Sequence, residues 1–476
     1  MKGCILVLFL FSLLGLTGQV PPMSFVYGYT GEESFVFFEQ LGDEFLFVGN
    51  SSSSSEGLSD VFLLRTTTAL EVINLTVLGY FNAEEAVGAL IYGSDLFILV
   101  NRLSFETGYD PVLIRTDLDG NVISETNLGG PGWEFGNRLR LGNDELLIVG
   151  SWGVEGDSEA STFCAKLDLE ATVQLFSTFP PTDFGKGNDV ATWQDGYLVA
   201  GSISVEDTFD YRPALLHLNS NLAPVETFSV GDEPGEFKCI KIGNQGVVLG
   251  GWSSIDGTGE HLLFCKLDDV LSPVWIENVA PEGAVVDLRM EDDRFVFLGN
   301  TAFFSFNGNN DTYLFQTNFD GVFAGSRLYG GAASDQCQGL FIDSEANSVI
   351  CGETSSFDGP DHQAYAVFIP SIVPGTNENN EGQIITHSDE TLDLEESELN
   401  TESSVVIFPN PVVNGSFYLN ADCYEVHIRS IVGGPVGNRF RVIGGQVEVL
   451  DLPKGCYIVS GKLSSGKWFN EKIVVF

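Results

Sequence analysis

The stretch DGYLVAGSIS, residues 195–204, is an apolar run closed by a glycine and a serine, and the chain repeats it. The pattern stands at FLFVGN (45–50), LFILVN (96–101), LLIVGS (146–151), YLVAGS (197–202), VVLGGW (247–252), FVFLGN (295–300) and SVICGE (348–353). Its small residue falls at Gly49, Val100, Gly150, Gly201, Gly251, Gly299 and Gly352, with spacings of 51, 50, 51, 50, 48 and 53. So even a period marks a repeat architecture. Each copy sits among four runs of strand length. Across residues 135–179 these are FGNRLRLG, ELLIVGS, STFCAKLD and TVQLFSTF, with turn formers between them and no competing helical period. Four antiparallel strands per copy, in seven copies, predict an all-β chain whose residues 24–370 form a seven-bladed β-propeller.

Closure gives an independent expectation. The last copy supplies only three runs: QGLFID (338–343), SVICGE and QAYAVFIP (363–370). VYGYTGEES (26–34) parallels LYGGAASDQ (328–336), the fourth run and turn of the preceding copy. The N-terminal strand is therefore expected to complete the last blade and remove an open sheet edge.

Composition agrees with this reading. The chain is 43% hydrophobic, with 37 Phe and 54 Gly, as an all-β protein with many turns requires. Its net charge is -44 and unevenly placed: residues 405–476 carry +2 and residues 371–404 carry -9, which leaves -37 on residues 1–370. Such a body repels nucleic acid and anionic lipid. Solvation in a salty exterior explains the charge, and calcium held by some of the carboxylates is the other reading. The N-terminus, MKGCILVLFLFSLLGLTGQV, has one lysine, an apolar run from Ile5 to Leu16 and then small residues. That run is too short to span a bilayer and matches a secretory signal peptide over residues 1–18, leaving no transmembrane segment after cleavage. Seven cysteines remain, too thinly spread for a disulfide framework, and most lie in apolar strand patterns where a thiol packs as a small hydrophobe. Cys423 and Cys456 share the last domain and could pair.

In an up-and-down blade the loops after the second and fourth strands emerge on one face, and here those are the long ones. Length invested on one face marks it as the functional surface. It gathers Tyr109, Asp110, Trp133, Trp152, Asp207, Tyr211, Trp252, Asp256, Asp311, Phe357, Asp358 and Asp361. Aromatic platforms beside carboxylates suit sugar rings. Paired carboxylates could also serve glycoside hydrolysis. The plainer account is that Asp, Gly and Ser are simply turn residues. TDLDGNVISE (116–125) resembles a calcium loop with its glycine misplaced, and NFDGVF (318–323) in the same slot makes an Asp-Gly hairpin turn the better account. SSIDGTGE likewise departs from a sialidase Asp-box. No HExxH, GxSxG, P-loop or dinucleotide fingerprint is present, and no catalytic residue or cofactor is assigned.

DGYLVAGSIS (195–204), CGETSSFDG (351–359) and CKLDD (265–269) resemble the tandem propeller repeats of secreted bacterial proteins. The likeness is loose and implies the fold alone. Residues 371–404 hold nine acids and no Lys or Arg, and are expected to form an acidic flexible linker. Residues 405–476 alternate as a small C-terminal β-sandwich. Pro409-Asn410-Pro411, a central strand and glycine turn containing Gly433, then Leu452, Gly455 and Tyr457, and a closing strand from Lys472 resemble the type A sorting domain of the type IX secretion system of Bacteroidota. One departure is Ser430, where the family often has Asp. The resemblance implies export to the cell exterior or outer surface, with the outer-membrane translocon and its sorting peptidase as partners. The propeller is then expected to be a non-enzymatic module binding a glycan or a surface protein. The alternatives are an extracellular carbohydrate-active enzyme and a purely structural surface protein.

Overall fold

The chain divides into two compact units, Met1–Asp389 and Glu390–Phe476. The computed structural model describes residues 23–28, 31–52, 59–79, 83–104, 108–153, 161–180, 184–204, 211–231, 233–254, 259–302, 310–331, 333–343, 347–357, 362–369 and 383–388 of the first. Of the second it describes 407–408, 416–419, 423–430, 435–441, 446–448, 455–463 and 468–475. The described residues contain strands, turns and bends and no helix.

The first unit has a β-propeller repeat fold. After β1 (Met23–Gly28) come β2 to β5 (Glu33–Leu41, Glu44–Ser51, Asp60–Thr67, Val72–Leu78), paired in sequence order as one antiparallel sheet. The next sheets are β6 to β9 (Glu84–Tyr92, Asp95–Ser104, Gly108–Asp117, Val122–Asn127) and β10 to β13 (Glu134–Gly142, Glu145–Trp152, Ser161–Leu167, Val173–Phe179). Then follow β14 to β17 (Lys186–Trp193, Gly196–Ser204, Tyr211–Asn219, Pro224–Ser229). Strands β18 to β24 (Gly235–Gly243, Gly246–Ser253, His261–Leu267, Pro273–Met290, Phe295–Thr301, Asp311–Thr317, Phe323–Tyr329) form one sheet, in which the long β21 ends one four-strand group and begins the next. The last sheet has β25 to β27 (Asp335–Ile342, Ser348–Thr354, Gln363–Ile369), then β1 antiparallel to β27. The N-terminal strand thus supplies the missing fourth partner. Phe38 and Phe45 of the first sheet pack on Phe368 of β27, with ring centroids 5.6 and 5.1 Å apart.

One strand was not legible in the sequence. Within the acidic segment read as a flexible linker, β28 (Gln383–Ser388) runs parallel to β1 along its outer edge. Its sequence, QIITHS, is rich in β-branched residues and free of acids.

The repeated glycine has a specific cause. In every sheet the first strand bulges at the same register, opposite the marker residue, as between Phe35 and Phe37 facing Gly49 or Gly187 and Asp189 facing Gly201. The bulge drives a carbonyl against the marker. A Cβ on Gly201 would lie 1.7 Å from the Lys186 carbonyl oxygen, and on Gly150 2.0 Å from that of Phe135. At these positions the glycine accommodates a backbone approach inside one sheet, while Val100 holds the same register in the second sheet. The asparagine after it stitches sheets together: Asn50 accepts from the Ala86 N–H (2.7 Å) and donates to its carbonyl (3.0 Å), and Asn101 does the same at Gly136.

Second strands such as β3 and β11 are buried on both faces, whereas fourth strands such as β5 and β13 are largely exposed. That explains why the second run reads as continuously apolar. Cys164, Cys239, Cys265, Cys337 and Cys351 are free and fully buried in these layers, and burial alone pushes the Cys164 thiol up to about 12. Most turns between third and fourth strands are held by an Asx residue, and in the first sheet Thr67 takes that place. Asp117 accepts from the Asp119 and Asn121 N–H groups (3.0 and 2.9 Å), and Asn318 does the same for Asp320 and Val322. TDLDGNVISE is therefore a hairpin turn capped from Asp117.

The second unit has two antiparallel sheets. One comprises β29 (Ile407–Phe408), β30 (Ser416–Leu419) and β33 (Gln446–Glu448). The other has β31 (Cys423–Ser430), β32 (Pro435–Arg441), β34 (Gly455–Leu463) and β35 (Trp468–Val475) in the order β32-β31-β34-β35.

Candidate functional site

The face where first strands begin and third strands begin carries buried acids at the sheet junctions. Glu33, Glu84, Glu134, Glu236 and Asp335 open or nearly open their strands, and none is more than 4% exposed. Each lies five residues after a glycine: Gly28, Gly79, Gly129, Gly231 or Gly330. This spacing was present in the sequence and is the signal that the motif reading passed over. Glu134 accepts from the N–H groups of Gly130 (3.0 Å) and Gly132 (3.1 Å), so the carboxylate organises the turn that leads into its own strand. Asp335 does likewise with the Gly331 N–H (2.8 Å) and also takes the hydroxyls of Ser356 (2.5 Å) and Thr354.

A second acid sits across three of these junctions, at the start of the preceding third strand. Asp60, Asp110 and Asp311 are 4%, 6% and 4% exposed. A Cβ on Gly129 would meet Asp110 at 2.0 Å, and one on Gly330 would fall between Asp335 (2.7 Å) and Asp311 (2.8 Å). Asp110 and Asp311, expected to face a ligand from the loops, thus lie beneath the turns. Burial pushes the Asp311 carboxyl up to about 7, and the Asp335 charge adds to the shift. Burial also raises Glu134, against its two backbone hydrogen bonds, with the charge of Asp110 adding to the rise.

Asp311 makes a pH prediction. A carboxyl with a folded pKa near 7 keeps its proton where the unfolded chain has lost it, so its contribution to stability falls as pH rises from about 4 to about 7. Asp311→Asn mimics the protonated acid. Its melting temperature relative to the wild type should climb across that window and level off above it. A difference that stays flat from pH 4 to pH 8 would contradict the shift.

The aromatic residues group at the junction between the second and third sheets. Trp133 is 61% exposed. Tyr109 lies 5.6 Å from its ring centroid and stacks on Phe135 at 5.1 Å and 29°. Gly108 makes the contact possible: it takes φ +97°, and a Cβ there would lie 2.7 Å from Trp133 Cδ1. Trp152 flanks the same glycine turn, where a Cβ on Gly130 would meet its Cζ2 at 2.5 Å, while its ring packs inward on Phe176. Arg102, paired with Asp110 across the strands, forms a two-pronged ion pair with Glu125 (2.9 and 3.1 Å). The structure therefore brings Tyr109, Asp110, Trp133 and Trp152 together, with Glu134 and Phe135 added.

Other expected residues lie at other junctions. Lys186 stands 5.0 Å above the Tyr211 ring and 3.4 Å from Glu236, to which Trp252 Nε1 also donates (3.1 Å). Phe357 packs on Tyr365 (5.7 Å) beside the Asp311–Asp335 pair. Asp207, Asp256, Asp358 and Asp361 lie outside the described residues, as do Pro409, Asn410, Pro411, Gly433 and Leu452 of the sorting motif and the whole signal sequence. Gly455, Tyr457 and Lys472 lie on β34 and β35. Among the described residues no three of His, Cys, Asp and Glu converge to hold a metal ion.

No protein-family model and no curated protein matches the sequence. The chain is similar in structure to the β-propeller domain of the Trilobed protease from Pyrococcus furiosus, at 12% identity and a TM-score of 0.40, covering 68% of this chain and 92% of that one. It is similar to the phage phi92 endosialidase at 8% identity and a TM-score of 0.42, covering 96% and 87% of the two chains. The acylaminoacyl peptidase of Pyrococcus horikoshii matches at 12% identity and a TM-score of 0.42, covering 82% of this chain and 59% of that one. At these scores the likenesses carry no argument about activity.

Proposed function

We propose that the chain is an exported seven-bladed β-propeller whose long-loop face binds glycans by stacking them on Trp133. The observation that carries this reading is an indole 61% exposed yet held by Tyr109 and by the close approach of Gly108. A fixed, solvent-facing ring offers stacking area without the entropic cost of ordering it on binding. The junction acids fit a structural role, because their oxygens serve turn N–H groups and hydroxyls. This favours a binding module over a hydrolase. In a glycan-array and titration experiment on the full chain, Trp133→Ala should weaken the best ligand by about 2 kcal/mol, roughly thirtyfold in Kd. Unchanged affinity would remove Trp133 from the site.

One observation favours the enzyme as a second reading: Asp311, raised to about 7 beside Asp335, has the pKa of a general acid. Hydrolysis of an oligosaccharide that vanished in Asp311→Asn and survived in Trp133→Ala would install that reading in place of the first.

The export route rests on the resemblance of residues 405–476 to a type A sorting domain. The two sheets of the second unit suit the small β-sandwich such a domain would be. Deletion of residues 405–476 should leave the protein inside the cell envelope, read by fractionation. Normal appearance outside the cell would end the proposal.

A further inference from the structure

The outer strands of the propeller share an irregularity that one of them lacks. Where a third strand pairs with the fourth, the register slips next to the turn, as between Arg65 and Thr66 in the first sheet and between His217 and Leu218 in the fourth. The slip recurs at the same place in the other third-to-fourth hairpins. Thr66 faces Val72 and Arg65 faces Asn74, so Ile73 is the extra residue in the first sheet, and Val225 holds that place in the fourth. Such a bulge bends and twists the outermost strand and spoils its free edge for another strand. β1 is the exception. It reaches the outer position of its sheet from the N-terminus rather than through a turn, and Met23 to Tyr27 pair with Phe368 to Ala364 without a slip.

The outer edges differ accordingly. Among the described residues β5, β9, β13, β17 and β24 end their sheets with no strand beyond them. Beyond β1 lies β28, parallel to it from Met23 opposite Gln383 to Gly28 opposite Ser388. The outer strands β9 and β17 have no buried residue, but β1 is buried from Ser24 to Gly28. Uncovered, MSFVYG would be a flat apolar edge, the kind that recruits foreign strands. The covering strand has little distance to travel. Phe368, next to the last residue of β27, and Gln383, the first of β28, both stand opposite Met23, so the chain crosses a single strand between them. That is about 10 Å at the ordinary strand spacing, and a short tether holds such a segment at an effective concentration on the order of millimolar.

We propose that the outer edge of β1 is a strand-addition site for an extended segment of β-branched residues, without acids, Lys or Arg, that runs parallel to it. β28 is then the guard strand by which the chain closes this site to other segments. In such an addition the main-chain hydrogen bonds supply the affinity, and an added strand must be able to lie flat beside the edge. QIITHS meets that requirement, and the unslipped pairing of β1 provides the edge. Glu381 and Asp389 stand close on either side of the guard strand in the sequence. Charges flanking an apolar strand keep it from stacking with further copies of itself, so the addition stops at one strand.

The test uses the full chain, a capped synthetic peptide of residues 383–388, amide exchange read on β1 and calorimetric titration. Ile384→Pro combined with Ile385→Pro removes two successive N–H groups, which point to opposite sides of a strand, so one of them faces β1. The β1 amides that face away from β27 should exchange about tenfold faster in this variant than in the wild type. The peptide should bind the variant about a hundredfold more tightly than the wild type, where the tethered segment competes, and should restore the lost protection. A second variant with Gly and Ser throughout residues 383–388 should behave in the same way and decides the matter if the proline variant does not fold. If neither folds, β28 belongs to the core and is no removable guard. Unchanged exchange in a folded variant overturns the proposal, and so does a peptide that binds the wild type and the variant equally or binds neither.

Discussion

Asp189→Ala is expected to destabilise the first unit by about 3–5 kcal/mol, the cost of removing one partner from a buried ion pair. Asp189 is fully buried. Its carboxylate is the partner of Arg140 and also ties the fourth sheet to the fifth through the Ile240 N–H. Alanine would leave the Arg140 guanidinium with only Asp287, 3.9 Å away, and two backbone N–H groups without their acceptor. Burial, the largest single influence, would raise the Asp189 carboxyl, but Arg140, Arg138 and Lys241 together outweigh it and hold it at about 2. The stability it contributes is therefore present above the pKa of the unfolded chain, near 4, and is lost as pH falls toward about 2. Thermal unfolding of wild type and variant should differ most at neutral pH, by on the order of 5–10 °C, and converge in strong acid. A loss of under 1 °C at pH 7 would mean that Arg140 finds another partner, at a cost far below that of about 3 kcal/mol.

Removal of β1 is expected to be at least as damaging. Phe25 and Val26 are 0% exposed and Tyr27 is 2% exposed. Burying each such side chain contributes about 1.5–3 kcal/mol, so the strand brings on the order of 6 kcal/mol before its hydrogen bonds to β27 are counted. Phe25 and Tyr27 also stack on Phe35 of the neighbouring first sheet, at 5.9 and 6.3 Å. A chain beginning after residue 28 would expose the edge of β27, whose seven residues are all buried. It should be recovered unfolded or aggregated, since a flat apolar edge recruits other strands. A chain beginning at residue 23 should fold normally. Equal melting temperatures for the two chains would refute closure by the N-terminal strand.

The alternative uses of the long-loop face separate along the same lines. Trp133 contributes surface and little stability, so its loss should alter binding alone. Asp311 contributes a pH dependence whether or not it meets a ligand. Measuring both variants for stability and for ligand response tells a binding surface from a buried structural pair.

Period and closure were legible in the residues themselves. Seven apolar runs at even spacing predicted a repeated group of strands, and the likeness of VYGYTGEES to LYGGAASDQ assigned the N-terminal strand to the last copy, where it pairs with β27. Both are properties of order along the chain, which burial and hydrogen bonding then obey. The site was legible only as a set of residue types. That Asp110 and Asp311 lie beneath their turns while Trp133 stands clear of the surface depends on glycine turns that bring carboxylates of different strands together. Arg140 meets Asp189 from 49 residues further along the chain, on the next sheet. No local pattern encodes such a meeting. Side chains far apart in sequence acquire neighbours, charges and dielectric surroundings only when the sheets pack, so tertiary structure alone decided which of these groups are buried at the junctions and which face solvent.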